Sequence, residues 1–287
     1  MKSIQRAFIP GSKWVYIKLY LGNNTADKVL IDHISYIVTG LKKKGIIDKW
    51  FFIRYTDPDF HLRIRLLVEN ESSIGDILNM FYKRLSPLVK DNLIWKIQLD
   101  TYNRELERYG NKSIELAESI FYYDSECILS ILKKVDNDNY RWMIALKMID
   151  SLLSDFSFNI NAKKDIMDKI SNSFKIEFGF NQYNAKQFNT KYRDNKKNIE
   201  DVLNDTIKDT KFKALYLPIQ KKTKNLKPII DRLNNTKNID ENSLISSYIH
   251  MMLNRLFQSK NRIHELVLYD FMKRYYISEL AKLKYSK

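Results

Sequence analysis

The chain has 287 residues, 44% hydrophobic and 29% charged, a globular composition that excludes wholesale disorder and is long enough for a substantial core. Its 49 Lys and Arg against 34 Asp and Glu leave a net charge of +15. That balance favours an anionic partner, such as nucleic acid, acidic peptide or membrane headgroups, without choosing among them. No stretch approaches the roughly 20 apolar residues of a membrane span, and the start, Met1 to Arg6, lacks the apolar core of a signal peptide. Cys127 is the single cysteine, so neither an internal disulfide nor a CxxC knuckle is available. The four histidines are scattered, and no glycine-rich phosphate loop occurs. A cytoplasmic protein with no metal and no cofactor is expected.

Taken in chain order, Trp14 to Leu21 is aromatic and β-branched and predicts a strand, stopped by Gly22-Asn23-Asn24. Val29 to Leu41 carries apolar residues at helical spacing, with Gly45 beyond it. Trp50 to Tyr55 and His61 to Leu67 predict two strands of a hairpin around the turn Thr56-Asp57-Pro58-Asp59. Ile74 to Leu85 predicts a helix ending near Pro87, and Leu93 to Leu99 a further strand. The first hundred residues thus form a β-α-β-β-α-β layer, and the fold class is α+β with a largely helical C-terminal half.

Helical spacing returns over 114–135, 140–158 and 163–174. Residues 181–213 are Lys- and Asn-rich and weakly periodic, and Pro218 and Pro228 bracket an expected basic turn, Lys221-Lys222-Thr223-Lys224. These two basic stretches carry no recognition motif and predict a solvated surface. Leu244 to Leu256 and His264 to Leu283 predict two last helices. With no repeat and no Gly/Ser linker, one continuous unit is expected over 1–287, sheet-forming over 1–110 and helical over 111–287.

Three places offer chemistry. In the strand His61-Leu62-Arg63-Ile64-Arg65-Leu66, alternation puts His61, Arg63 and Arg65 on one face and Leu62, Ile64 and Leu66 on the other. Two arginines about 7 Å apart on a rigid strand make a carboxylate or phosphate clamp, or simply a solvated face. The run Asp100 to Gly110 pairs Glu105 with Arg108 if helical, and aligns Arg104, Leu106 and Arg108 if extended. In 244–256 an apolar stripe runs through Ile245, Tyr248, Ile249 and Met252, and His250 and Asn254 lie opposite it. His250 is therefore exposed or lines a cleft, where its titration near neutrality suits proton transfer.

Five segments resemble, in order, the small domain of class I lantibiotic dehydratases and the stand-alone thiopeptide-type bacteriocin biosynthesis proteins: Trp14 to Tyr20, Trp50 to Tyr55, His61 to Arg65, Asp100 through Glu105-x-x-Arg108-Tyr109-Gly110, and His250-Met251-x-x-Asn254-Arg255. The resemblance implies a glutamate-elimination lyase that acts on glutamylated Ser or Thr of a ribosomal precursor peptide and leaves dehydroalanine or dehydrobutyrine. It implies Arg65, Arg108 and His250 as catalytic residues, with Arg63, Glu105, His61 and Asn254 supporting. A separate protein would perform the tRNA-dependent glutamylation, so no direct tRNA requirement is expected here, and a homodimer is compatible with the family. Two readings compete: a pyridine synthase of the same fold acting by formal [4+2] cycloaddition, and a non-catalytic basic protein that binds leader peptide or RNA.

Overall fold

The computed structural model describes residues 4–135, 137–236 and 241–285, so Met1 and the last two residues, part of the basic tail, lie outside it. The chain groups into two compact units, Met1–Lys133 with Asp231–Ile239, and Lys134–Ile230 with Asp240–Lys287. The sheet-bearing part thus runs past residue 110, because the next helix packs on the sheet. The α+β class holds: the sheet belongs to the first unit, and the second is helical.

The first unit carries strands β1 (Ala7–Phe8), β2 (Trp14–Leu21), β3 (Ile47–Tyr55), β4 (His61–Val68), β5 (Ile94–Leu99) and β6 (Tyr102–Asn103). Its helices are α1 (Asn23–Val29), α2 (Ser35–Lys43), α3 (Ile74–Lys90), α4 (Leu106–Tyr109) and α5 (Ile114–Leu132), and a π-turn over Leu30–Ile34 joins α1 to α2. Four strands form an antiparallel sheet in the order β3-β4-β2-β5, and β1 pairs with β6 beside it. The expected hairpin is β3-β4, with Tyr55 opposite His61. Ile17, Leu19, Leu62, Ile64, Trp50 and Phe52 are fully or almost fully buried on one face. Removing such side chains from water, at about 1.5–3 kcal/mol each, is the main stabilisation of this layer. Arg54 shares that face and donates to Asp27 of α1 at 2.6 Å. α2 and α5 pack against β3 and α3 against β5.

Pro87 behaves differently from expectation. α3 continues beyond Pro87 to Lys90, because Pro87 sits in the last turn and its carbonyl still accepts from Asp91 N–H at 3.0 Å. Beyond its Asp91 cap, Asn92 turns the chain away in the left-handed region at φ 56°.

The second unit holds α6 (Asp138–Asp155), α7 (Ile160–Glu177), α8 (Gln182–Leu203), α9 (Thr210–Lys213), most of α10 (Tyr216–Asn234), α11 (Glu241–Leu256) and α12 (Asn261–Tyr285). Asparagines start three of these helices: Asn137, Asn159 and Asn181 each accept backbone N–H groups of the first turn. The weakly periodic stretch after 181 therefore forms a long helix, capped reciprocally by Asn181 and Asn184 and anchored by buried Ile199, Val202 and Leu203. The expected turn between Pro218 and Pro228 is helix α10 instead. Pro218 falls in its first turn, where a missing N–H costs nothing. Lys222 is not part of a solvated surface but buried, its ammonium 3.4 Å from Met252 Sδ. Among the described residues no helix is long and apolar enough to cross a membrane.

Candidate active site

The second face of the sheet in the first unit is built in rows by the strand register. Tyr16, Arg65 and Phe51 lie side by side across β2, β4 and β3; Lys18, Arg63 and Ile53 form the next row; Tyr20, His61 and Tyr55 the third. Cross-strand neighbours at this spacing interact directly. The Arg65 guanidinium lies 4.5 Å from the Tyr16 ring centroid, 5.4 Å from Phe51 and 4.7 Å from Tyr102 of β6. The face that the sequence offered as clamp or solvated surface is thus an aromatic sleeve around one cation. Arg65 is only 8% exposed, and its Nε is buried with no hydrogen-bond acceptor among the described residues. Burial pushes its pKa down, opposed by the Tyr102 and Tyr16 oxygens and by the Glu105 charge. A guanidinium stays charged at neutral pH nonetheless, so among the described residues this is a buried cation lacking a buried counter-ion.

Arg63 and His61 form a linked pair. Asp59 carbonyl lies 2.8 Å from His61 Nδ1, and Arg63 Nε donates to His61 Nε2 at 3.0 Å. A ring nitrogen facing a carbonyl must carry the proton, and one facing a guanidinium N–H must accept, so His61 is neutral with the proton on Nδ1. Burial lowers its pKa, and Arg63 and Lys18 lower it further. Arg63 also stacks on Tyr55, 3.4 Å from the ring centroid, which aims it along the face. Lys18 pairs with Asp100. Burial alone would raise the Asp100 carboxyl, but the hydrogen bonds from Lys18 and Thr101 N–H and the Lys18 charge hold it below its ordinary value.

The run after Asp100 divides: Tyr102 and Asn103 are extended in β6, and Leu106 to Tyr109 form the one-turn helix α4, closed by Gly110 at φ 75°. The helical alternative applies at Glu105 and Arg108, which pair at 3.2 Å on the surface. Arg104 does something else. It grips buried Glu118 of α5 with Nε and Nη2, both at 2.7 Å, while Tyr102 OH donates to the same carboxylate at 2.9 Å. Glu118 thereby holds one wall of the Arg65 sleeve. Burial raises the Tyr102 phenol pKa, and the Glu118 charge adds to the shift. Burial also raises Tyr16, although Arg65, Arg63 and Lys18 oppose it.

His250 and Asn254 lie in the second unit, four residues apart on α11. His250 is half-exposed, as its place opposite the apolar stripe predicts. Its Nδ1 lies 2.9 and 3.0 Å from the two oxygens of Glu265, which is fully buried on α12. Glu265 also accepts from Tyr269 OH at 3.1 Å and has Arg262 Nη1 at 3.5 Å. A carboxylate facing Nδ1 fixes the tautomer and ring orientation and leaves Nε2 as the acceptor nitrogen.

Of the sequence-derived site residues, His61, Arg63, Arg65, Glu105 and Arg108 therefore belong to the first unit, and His250 and Asn254 to the second. Sequence reasoning missed Tyr16, Phe51 and Tyr102 as the sleeve, Glu118 as its anchor, and Glu265 behind His250. Alternation in β2 already puts Tyr16 and Lys18 on one face, but its partner strand is a matter of register. Nothing in the sequence couples positions 250 and 265, because their contact needs α11 and α12 to pack together.

The family model described as "Lantibiotic biosynthesis dehydratase C-term" matches residues 14–276. The nisin biosynthesis protein NisB of Lactococcus lactis subsp. lactis is 30% identical over 142 residues, 49% of this chain and 14% of NisB. Among solved structures, the tRNA dependent lantibiotic dehydratase MibB from Microbispora sp. 107891 superposes with a TM-score of 0.75 at 19% identity, over 96% of this chain and 29% of MibB. TbtD, a pyridine synthase from thiomuracin biosynthesis, gives 0.68 at 12% identity, over 95% of this chain and all of TbtD. At these identities both structural likenesses speak for the fold, and the chain spans under a third of the length of NisB and of MibB. With the family model covering the sheet strands from β2 onward and every helix through most of α12, the chain belongs to the lantibiotic dehydratase C-terminal family.

Proposed function

We propose that this chain catalyses glutamate elimination from glutamylated Ser or Thr residues of a ribosomal precursor peptide. The observation that carries the reading is Arg65: a cation walled by three rings and lacking a buried counter-ion is suited to an anion that arrives with the substrate. In the reaction the Cα proton leaves, its electron pair forms the Cα=Cβ bond, and the Cβ–O bond breaks to release glutamate as a carboxylate. Negative charge gathers on the peptide carbonyl and on the departing carboxylate. Fixed cations aimed at those oxygens lower the barrier more than any other single device. Arg65 and Arg108 take that role, with Arg63 assisting, His61 holding Arg63, and Glu105 orienting Arg108. His250 transfers a proton through Nε2, a contribution of about 10²- to 10⁴-fold, with Glu265 behind it and Asn254 beside it. No cofactor enters this scheme, and glutamylation is not assigned to these 287 residues.

The test is mass spectrometry of a synthetic glutamylated peptide incubated with the protein. Loss of glutamate and appearance of a dehydro residue is the expected result, and His250→Ala should leave the glutamylated peptide intact. Continued dehydration by that variant would remove His250 from the mechanism. The pyridine synthase reading has one observation in its favour, the match along the whole length of TbtD. It requires ring formation from an already dehydrated peptide, with the Arg65, Arg108 and His250 set dispensable.

A further inference from the structure

The second unit contains a cavity of about 310 Å³ that uses none of the residues assigned to elimination. It opens between the first turns of α6, the middle of α8, the α11–α12 connection and the N-terminal half of α12. Its walls are aromatic and aliphatic. Trp142 meets Phe271 edge to face at 6.0 Å, and His264 stacks on Phe257 at 4.1 Å with the planes only 6° apart. Val267 and Leu268 complete the interior. An apolar cavity of roughly 150 Å³ holds a benzene molecule, so this one has room for an aromatic ring and part of the chain that bears it.

Polar groups also line the cavity, and in ligand pockets such groups fix the orientation of what binds. Arg141 is 9% exposed and anchored by its Nη1 to the Leu256 carbonyl at 2.8 Å. Lys191 is exposed at the opening. Of the charged residues lining the cavity, Arg141 and Lys191 are cationic and Asp138 is anionic. The opening is therefore net positive above an apolar floor. Asn139 and Asn195 line it as well, and side-chain amides match the hydrogen-bonding groups of a peptide backbone.

We propose that this cavity binds one aromatic side chain of a peptide segment, presented beside an acidic residue. The ring packs against the Trp142 and Phe271 pair, and the acidic group meets Lys191 at the opening. This assignment stands apart from the elimination reading.

The chain has four tryptophans, so full-length protein labelled with 5-fluorotryptophan reports the cavity directly, the Trp142 signal being assigned by Trp142→Phe. Titration with N-acetyl-Asp-Phe-amide to about 10 mM covers the range of a single anchored side chain. It should shift the Trp142 resonance saturably and leave the other three in place. N-acetyl-Asp-Ala-amide should give no shift, and N-acetyl-Lys-Phe-amide should bind more weakly than the acidic dipeptide. Lys191→Gln, an exposed change that spares the core, should weaken binding by about two- to fivefold, as for an exposed ion pair. Val267→Phe should abolish it by filling the cavity. An unmoved Trp142 resonance, equal binding of the Asp and Lys dipeptides, or binding of phenylacetate in place of the dipeptide would each overturn the proposal.

Discussion

Arg65 and Arg104 are both buried arginines of the first unit, yet their surroundings predict opposite responses to the same substitution. Arg104 is neutralised by Glu118 through two hydrogen bonds of 2.7 Å. Arg104→Met would leave a fully buried carboxylate facing only Tyr102 OH, and breaking such a pair costs about 3–5 kcal/mol. Arg65 has three rings and no buried carboxylate. Arg65→Met removes three cation–π contacts, each about 1–2 kcal/mol at a desolvated site. It also relieves the burial of an ion, a penalty of several kcal/mol, and methionine refills much of the sleeve. The two effects oppose each other, so Arg65→Met should hold stability within about 1 kcal/mol or raise it, while elimination is lost. Urea unfolding in a Trp142→Phe background reads the first unit alone, since Trp14, Trp50 and Trp95 all lie there, and unchanged m-values make the midpoints comparable. If Arg65→Met loses as much stability as Arg104→Met, Arg65 is a structural cation and the reasoning fails.

Other expectations follow from the same geometry. Glu265→Gln should lower elimination by about 10²-fold or more and change its pH profile, by removing the carboxylate that orients His250; an unaltered profile would make Glu265 merely structural. Glu118→Gln should destabilise the first unit by about 3 kcal/mol or more, through the uncompensated Arg104, and weaken elimination as the Tyr102 wall loosens; urea midpoints and turnover of the glutamylated peptide check both. His61 has a lowered pKa in the folded chain, so the unfolded chain binds the proton more readily. Its contribution to stability is present above the unfolded value of about 6.5 and declines as pH falls toward the folded value. His61→Gln should flatten that part of the stability–pH curve. Asp100, also lowered, contributes stability that is complete above about pH 3.9 and lost as pH falls through its folded value; Asp100→Asn should remove that acid dependence.

The elements were largely legible because they rest on local rules. Aromatic and β-branched content identified β2, period-two alternation β4, the Thr56–Asp59 turn the hairpin, and three-to-four spacing α5 to α7, α11 and α12. The failures have equally local causes. The Lys- and Asn-rich stretch after 181 has a narrow apolar stripe, so its helical character rests on the Asn181 cap and a few buried residues near its end. Pro87 and Pro228 read as breakers, yet Pro87 lies in a last turn and Pro228 is carried inside α10. Lys222 read as solvated because its neighbours in sequence are basic, while its depth depends on α10 lying against Met252 of α11.

For the site, the sequence alone determined which residues share a face: His61, Arg63 and Arg65 on one side of their strand, His250 opposite the apolar stripe of its helix. Those facts follow from the pitch of a strand or helix and need no partner. Tertiary structure decided what each charge meets. Register set Tyr16 and Phe51 beside Arg65, the small β1-β6 ribbon brought Tyr102 over it, and the pairing of α11 with α12 set Glu265 behind His250. A side chain's depth and counter-charge depend on elements far away in the chain. That is why Arg65 and Arg104, alike as sequence, became a cation without a buried counter-ion and a fully neutralised one.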